Sequence, residues 1–160
     1  MPTYQEIYGS EKWQEANKCF VCGKNNPIGL KISVKHKGDI SYTTFTPGPE
    51  HSGWLNIMHG GLLSTLMDEV MGHWLWSRGA PVMTVEMNVR YLKPVLIGEP
   101  IVVTARQKMD RGRIAYMEAE VTLSDGTPVA RSTAKFIKTE RGLQLEAGRS
   151  TASAEEETEE

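Results

Sequence analysis

Two adjacent carboxylates, Asp68 and Glu69, stand in an apolar segment that begins at His59 and reads HGGLLSTLMDE. A carboxylate held in a pocket can serve as a general base or a nucleophile, whereas one on a solvated face does neither. Plotted at about 100° per residue, the segment forms a helix with its apolar face centred near Val70. Asp68 falls on the opposite stripe of small side chains and faces a gap. Glu69 lies nearer the apolar border, where an i,i+4 pair with His73 is expected.

The glycines after His59 open the same helix. The first amides of a helix lack intrahelical partners and face the positive end of the helix dipole, and glycines leave them accessible to a ligand. Gly60 and Gly61 are therefore candidates to stabilise a developing oxyanion, while Asp68, two turns along, activates water or attacks. Without Asp68 nearby, a tightly packed helix entry would explain the glycines equally well.

The two cysteines, Cys19 and Cys22, form a CxxC motif. A redox pair expects a strand before and a helix after the motif, but Gly, Asn and Pro follow it here, which is typical of a loop. A zinc site needs four ligands, so His36, His51 or a partner chain would have to complete it. The favoured interpretation is a pair of small buried thiols that anchor a loop, and no metal is expected.

Composition and charge exclude several classes of protein. The net charge is −2 over 160 residues, but five of the 20 acids lie in the last six residues, so the remainder is mildly basic. Because no dense Lys/Arg stripe occurs, nucleic-acid binding is not indicated, whereas a small anionic ligand is compatible. No apolar run approaches the ~20 residues that span a bilayer, and the polar N-terminus is not a signal peptide. A cytoplasmic protein without membrane association is expected.

The element pattern predicts one α+β domain at 19–140, between an N-terminal appendage with a short helix at 1–18 and a disordered acidic tail at 141–160. One helix, at about 60–78, lies among six predicted strands. These strands are Leu30–Lys37, Ile40–Thr46, Val82–Leu92, Ile101–Met109, Arg113–Leu123 and Thr127–Lys138. A single apolar helix can be buried only if an antiparallel sheet curls around it. Dimerisation would cover the edge strands that such a sheet leaves.

Three segments resemble a known family. They read CFVCGKNNPIGL, HSGWLNIMHGGLLSTLMDEVMG and TVEMNVRYLKPVLIGEP. Together they resemble the hotdog-fold acyl-CoA thioesterases of the PaaI-like branch, in the 4-hydroxybenzoyl-CoA thioesterase superfamily, over residues 19–138. The resemblance implies a long central helix wrapped by an antiparallel sheet, and homodimers, often paired into tetramers, with active sites at the subunit interface. It also implies hydrolysis of acyl-CoA without a cofactor, since coenzyme A is part of the substrate.

The resemblance also assigns catalytic roles. It makes Asp68 the catalytic carboxylate and the Gly60 amide the oxyanion donor, with His59 beside the thioester carbonyl. A hydroxyl contributed by the partner subunit, which corresponds to Thr84, would help to place the water. The family divides over whether the carboxylate is a nucleophile or a general base, and the sequence leaves both open.

One position departs from the family pattern. Relatives carry Asn or Gln six or seven residues before the motif histidine, where this sequence has Ser52 and Gly53, so Asn56 in the same loop is the candidate substitute. Trp54 is a candidate wall of the acyl pocket. The candidates for binding the rest of the substrate are Gly61 and the basic residues Arg90, Lys93, Arg111 and Arg113, which could contact the phosphates of coenzyme A.

Two other functions compete with hydrolysis. A non-catalytic acyl-CoA-binding or regulatory module would have no need for an acid at Asp68, and no DNA-binding helix-turn-helix is recognisable. A hotdog hydratase or dehydratase needs an acid/His pair, but the NNPIGL stretch lacks the His and Asp of the hydratase motif. Thioester hydrolysis is therefore the favoured prediction.

Overall fold

The computed structural model describes residues 17–139. Within that range it contains six strands and one α-helix, with a short 3-10 turn at Pro49–His51. The elements are β1 (Lys35–Lys37), β2 (Ile40–Phe45), α1 (Gly60–Trp76), β3 (Val82–Tyr91), β4 (Ile101–Arg111), β5 (Ile114–Leu123) and β6 (Pro128–Lys138). The predicted N-terminal helix and the acidic tail at 141–160 lie outside the described residues.

The strands form one antiparallel sheet in the order β1-β2-β4-β5-β6-β3. Helix α1 packs on one face of this sheet and touches every strand from β2 to β6. Strand β3 lies at one edge, next to β6, and its other side has no partner within the described chain. The predicted architecture, one helix wrapped by about six antiparallel strands, is confirmed.

Helix α1 is held by the apolar face that the sequence predicts. Its buried side chains are Leu63, Leu66, Met67, Val70, Met71, Trp74 and Leu75. Each contributes on the order of 1.5–3 kcal/mol by leaving water. The helix ends at Trp76, two residues before the predicted end, and Gly79 follows with a φ of +79°. Among the described residues no helix is both long and apolar enough to cross a membrane.

Strand β1 is shorter than predicted, because the first half of the predicted strand bonds to the loop that carries Cys19 and Cys22, called the cysteine loop below. The strand begins at Lys35, not at Leu30. The amides of Leu30 and Ile32 donate to carbonyls in the loop that carries Cys19 and Cys22, at 2.8 and 3.0 Å. Periodicity alone cannot distinguish this loop pairing from a strand pairing.

Strand β3 contains a β-bulge that the sequence does not reveal. Its register against β6 shifts between Thr84 and Glu86. The alternation of Val85, Met87 and Val89 predicts one buried face, but Val85 is 57% exposed. An extra residue at a bulge turns the neighbouring side chains out of the regular alternation. The bulge therefore sets the direction of Thr84.

Candidate active site

Asp68 is a half-buried carboxylate held by a hydroxyl on the neighbouring strand. The Thr84 hydroxyl donates to Asp68 Oδ1 at 2.7 Å. Burial raises the pKa of Asp68 above its usual range; the Thr84 hydrogen bond opposes this rise and the charge of Glu69 adds to it. A carboxylate with a raised pKa is a stronger base near neutral pH. The resemblance took this hydroxyl from the partner subunit, whereas here Thr84 reaches Asp68 of its own chain.

Glu69 has the structural partner that the helical wheel predicts. His73 Nε2 lies 3.1 Å from Glu69 Oε1, which confirms the i,i+4 pair. Burial alone would raise the pKa of Glu69, but hydrogen bonds from His73 and Cys22 outweigh it and lower the pKa. The two adjacent acids are thus shifted in opposite directions, and Asp68 is the one suited to take up a proton.

Of the two glycine amides at the start of α1, one is already hydrogen-bonded within the chain. The Gly61 N–H donates to His59 Nδ1 at 2.9 Å, so His59 caps the helix. The Gly61 amide is therefore already hydrogen-bonded in this structure, and substrate binding at Gly61 stays a prediction. Gly60 is the first helical residue, and its N–H has no acceptor within the helix. Because Nδ1 of His59 accepts a hydrogen bond, the neutral ring carries its proton on Nε2.

Tyr91 covers the first turn of the helix, a role that the sequence analysis missed. Its hydroxyl donates to the Gly60 carbonyl at 3.0 Å and lies 2.5 Å from Ser64 Oγ. A Cβ at Gly60 would lie 3.3 Å from a Tyr91 ring carbon. The only signal for it was the tyrosine in the RYLKP segment, which the resemblance includes without assigning it a function.

The loop before the helix does not form the predicted acyl-pocket wall within one chain. Trp54 is 83% exposed, so it lines no enclosed tunnel of its own subunit. Asn56 is exposed and has a φ of +60°, and its carbonyl accepts from the amide of Ile97 at 3.0 Å. A Cβ at Gly53 would lie 3.0 Å from the Cα of His59. A side chain at this position would therefore press on the residue that caps α1.

The four basic candidates do not form one cluster within a chain. Arg90 lies near the end of β3 and Lys93 just after it. Arg111 ends β4 and Arg113 lies in the turn that follows. This turn is level with Met83 at the start of β3. Seven residues of strand separate the two pairs, or about 23 Å at 3.3 Å per residue. One chain therefore does not bring the four basic residues together, and their binding of coenzyme A stays a prediction.

The cysteine loop lies beside α1 and meets Glu69. Both cysteines are free and half-buried, and Cys19 Sγ lies 3.6 Å from Glu69 Oε1. A hydrogen bond from the Cys22 thiol lowers the pKa of Cys19 to about 6, and the same interaction raises the pKa of Cys22. This contact was not predicted, because 50 residues separate Cys19 from Glu69.

Comparison with known proteins finds a family that matches the central part of the chain. The model of the thioesterase superfamily matches residues 55–130, which hold α1, β3, β4 and β5. Acyl-coenzyme A thioesterase 13 of Mus musculus is 37% identical over 75 residues, which cover 46% of this chain and 54% of that protein. The structure of thioesterase superfamily member 2 from Mus musculus matches with a TM-score of 0.62 and 26% identity, covering 68% of this chain and 88% of that one. Residues 55–130 of the chain are thus similar to the thioesterase superfamily.

The fold of this chain is the predicted hotdog fold. A hypothetical thioesterase from Streptococcus pneumoniae, solved with coenzyme A, superimposes with a TM-score of 0.64 at 20% identity over 68% of this chain and 88% of that one. The chain spans about half the length of the curated relatives it matches.

The two candidate groups, the Gly60 amide and the Asp68 carboxylate, lie far apart on α1. Gly60 and Asp68 are eight residues apart, which is about 12 Å along the helix axis at 1.5 Å per residue. Gly60 contacts Tyr91 at the end of β3, and Asp68 contacts Thr84 near its start. Helix and strand therefore run in opposite directions, with one chemical group at each end.

Proposed function

We propose that this protein hydrolyses acyl-CoA thioesters, with Asp68 as the catalytic carboxylate. The observation that carries the proposal is the half-buried Asp68, with its raised pKa and its 2.7 Å hydrogen bond to Thr84, on the helix of a thioesterase-superfamily fold. Curated relatives are named acyl-coenzyme A thioesterases. Two mutant structures of the Streptococcus thioesterase carry alanine at an aspartate and at a threonine, respectively, 16 positions apart, the spacing of Asp68 and Thr84 here.

In the proposed reaction, Asp68 assists attack on the thioester carbon and a helix amide stabilises the oxyanion. As a base, Asp68 takes a proton from water while the water oxygen bonds to the carbonyl carbon; as a nucleophile, its oxygen attacks that carbon directly. In both cases the carbonyl oxygen becomes negative and accepts from the Gly60 N–H at the positive end of the helix dipole. The C–S bond then breaks. In the base route the departing thiolate takes the proton that Asp68 removed from water, and the carboxylic acid is formed directly. In the nucleophile route the thiolate takes a proton from solvent, and water then hydrolyses the mixed anhydride formed on Asp68 to release the acid and restore the carboxylate.

The proposed site needs two subunits. A donor amide about 3 Å from the oxyanion and a carboxylate oxygen one water away from the same carbon are separated by at most roughly 10 Å. The backbones of Gly60 and Asp68 of one chain are about 12 Å apart along the helix axis, and this spacing favours Gly60 of another subunit as the donor to the thioester at Asp68. Asp68 therefore acts with Gly60 of the partner subunit.

The free edge of β3 is the surface that joins the two subunits in this proposal. It exposes apolar side chains, among them Met83 and Val85 at 58% and 57%. If two copies of β3 pair antiparallel about a twofold axis, the Thr84 end of one strand lies against the Tyr91 end of the other. That pairing brings Asp68 towards the helix entry of the partner subunit. It also brings the two separated pairs of basic residues towards each other across the dimer.

Thiol release from short, medium, long and aromatic acyl-CoAs tests the proposal. A positioned base contributes about 10²–10⁴-fold, so Asp68→Asn should lower kcat by at least about 100-fold. Glu86→Gln is the matched control, since Glu86 is an exposed acid two residues from Thr84 that pairs with Lys135 at 3.0 Å. Unchanged turnover in Asp68→Asn would remove Asp68 from the mechanism. Tight coenzyme A binding without turnover of any acyl-CoA would instead favour a regulatory binding protein.

A further inference from the structure

The cysteine loop and α1 bring three ligand atoms to one point. The sulfur atoms of Cys19 and Cys22 and a carboxylate oxygen of Glu69 all lie within 4.8 Å of one another. Zinc bonds sulfur at about 2.3 Å and carboxylate oxygen at about 2.0–2.2 Å. A sulfur and an oxygen ligand of one tetrahedral zinc ion therefore lie about 3.5 Å apart. The distance from Cys19 Sγ to Glu69 Oε1 is 3.6 Å. One ion can therefore contact all three atoms with little movement of the protein.

The loop is built so that sulfur accepts hydrogen bonds from the backbone. The Val21 N–H donates to Cys19 Sγ at 3.4 Å, and the Gly23 N–H closes the turn on the Cys19 carbonyl at 2.9 Å. A Cβ at Gly23 would lie 2.5 Å from the backbone nitrogen and oxygen of Cys19, so this turn requires glycine. Amide donors directed at a sulfur stabilise its thiolate, which is the form that binds metal.

Glu69 is oriented before any ion arrives. Its side chain is 18% exposed, and His73 Nε2 holds Oε1 at 3.1 Å. Carboxylates that bind metals are usually held by such a hydrogen bond from a neighbouring residue. Two thiolates beside a carboxylate favour a thiophilic ion such as zinc over Mg²⁺ or Ca²⁺, which prefer oxygen ligands.

We propose that Cys19, Cys22 and Glu69 bind one zinc ion, with water as the fourth ligand and His73 orienting Glu69. The ion ties the cysteine loop to α1, 50 residues away in the chain, at the residue next to Asp68. It stabilises the fold and takes no part in thioester cleavage, because its ligands differ from every residue of the proposed active site. This site replaces the expectation of two packed thiols without a metal.

Metal content of the full chain tests the proposal. Protein purified under reducing conditions, stripped with chelator and titrated with Zn²⁺ should take up one ion per chain and release thiol protons. Cys19→Ser and Cys22→Ser should lose stoichiometric binding, and His73→Gln should weaken it by about 10–100-fold. Asp68→Asn, the neighbouring acid, is the matched control and should bind zinc as wild type does.

Spectroscopy on the wild-type chain keeps the test independent of variants that fail to fold. Co²⁺ in place of zinc should give thiolate-to-metal charge-transfer and tetrahedral d–d absorption, and X-ray absorption should find two sulfur and two light ligands. Four sulfur ligands would mean a site shared between chains and would remove Glu69 from it. The proposal is also overturned if reduced protein takes up no zinc, if a Cys19–Cys22 disulfide forms in its place, or if Asp68→Asn abolishes binding.

Discussion

Substituting proline for Gly60 removes one hydrogen-bond donor while leaving the helix in place. Gly60 is the first residue of α1, the position where a proline is tolerated, because its N–H has no intrahelical acceptor. The preceding residue, His59, is extended with φ −60° and ψ 125°, which a following proline accepts. Loss of one oxyanion donor costs about 10²–10³-fold in kcat, or about 2.7–4 kcal/mol. We therefore expect Gly60→Pro to lower kcat by that factor with little change in KM.

Gly60→Ala separates the missing N–H from the added side chain. Both variants place a Cβ about where it would meet the Tyr91 ring, at 3.3 Å, but only the alanine variant keeps the donor. Initial rates of thiol release give kcat and KM, and thermal unfolding checks that both variants are folded. Alanine should retain most of the activity. Equal kcat values for folded Gly60→Pro and Gly60→Ala would refute the Gly60 amide as the oxyanion donor.

Three further outcomes follow from the contacts of the site. Thr84→Val removes the hydrogen bond that lowers the pKa of Asp68, so that pKa should rise. Because the carboxylate is the active form, the acid limb of the kcat/KM profile should move to higher pH. An acid limb that stays in place would contradict this. Asp68→Asn should raise Tm at neutral pH, since a raised pKa means that the fold disfavours the ionised group. The gain should shrink as pH falls through that pKa and vanish below the ordinary pKa of an aspartate. Tyr91→Phe removes the hydroxyl that contacts Gly60 and Ser64, so urea unfolding should show a loss of about 0.5–1.5 kcal/mol, and an unchanged midpoint would argue that Tyr91 does not hold the helix entry.

Local pattern was enough to predict the helix and to distinguish its two acids. The 3.6-residue period sets which side chains of α1 face the sheet, so it distinguishes Asp68 on the small-residue stripe from Glu69 at the apolar border. The same period predicts the pair of Glu69 with His73 four residues later. These features depend only on neighbours within one element, and the structure agrees with them.

Contacts between elements were not predictable from the pattern. The cysteine loop meets Glu69 and bonds to residues 30–32 only because the chain folds back on itself, which no period encodes. The bulge at Val85 shifts the register of an edge strand, where one free side leaves alternation weakly constrained. Sheet register likewise decides that Arg90 and Arg111 lie at opposite ends.

The most direct test of the composite site is to mix two inactive chains. Asp68→Asn and Gly60→Pro are each expected to be nearly inactive alone. After denaturation and joint refolding at equal amounts, half of the dimers are mixed, and each pairs the intact Asp68 of one chain with the intact Gly60 of the other. One of the two sites in such a dimer is complete, so we expect recovery to about one quarter of wild-type activity. Activity of the mixture no higher than that of the two parents, in dimers shown to exchange subunits, would contradict a site shared between subunits.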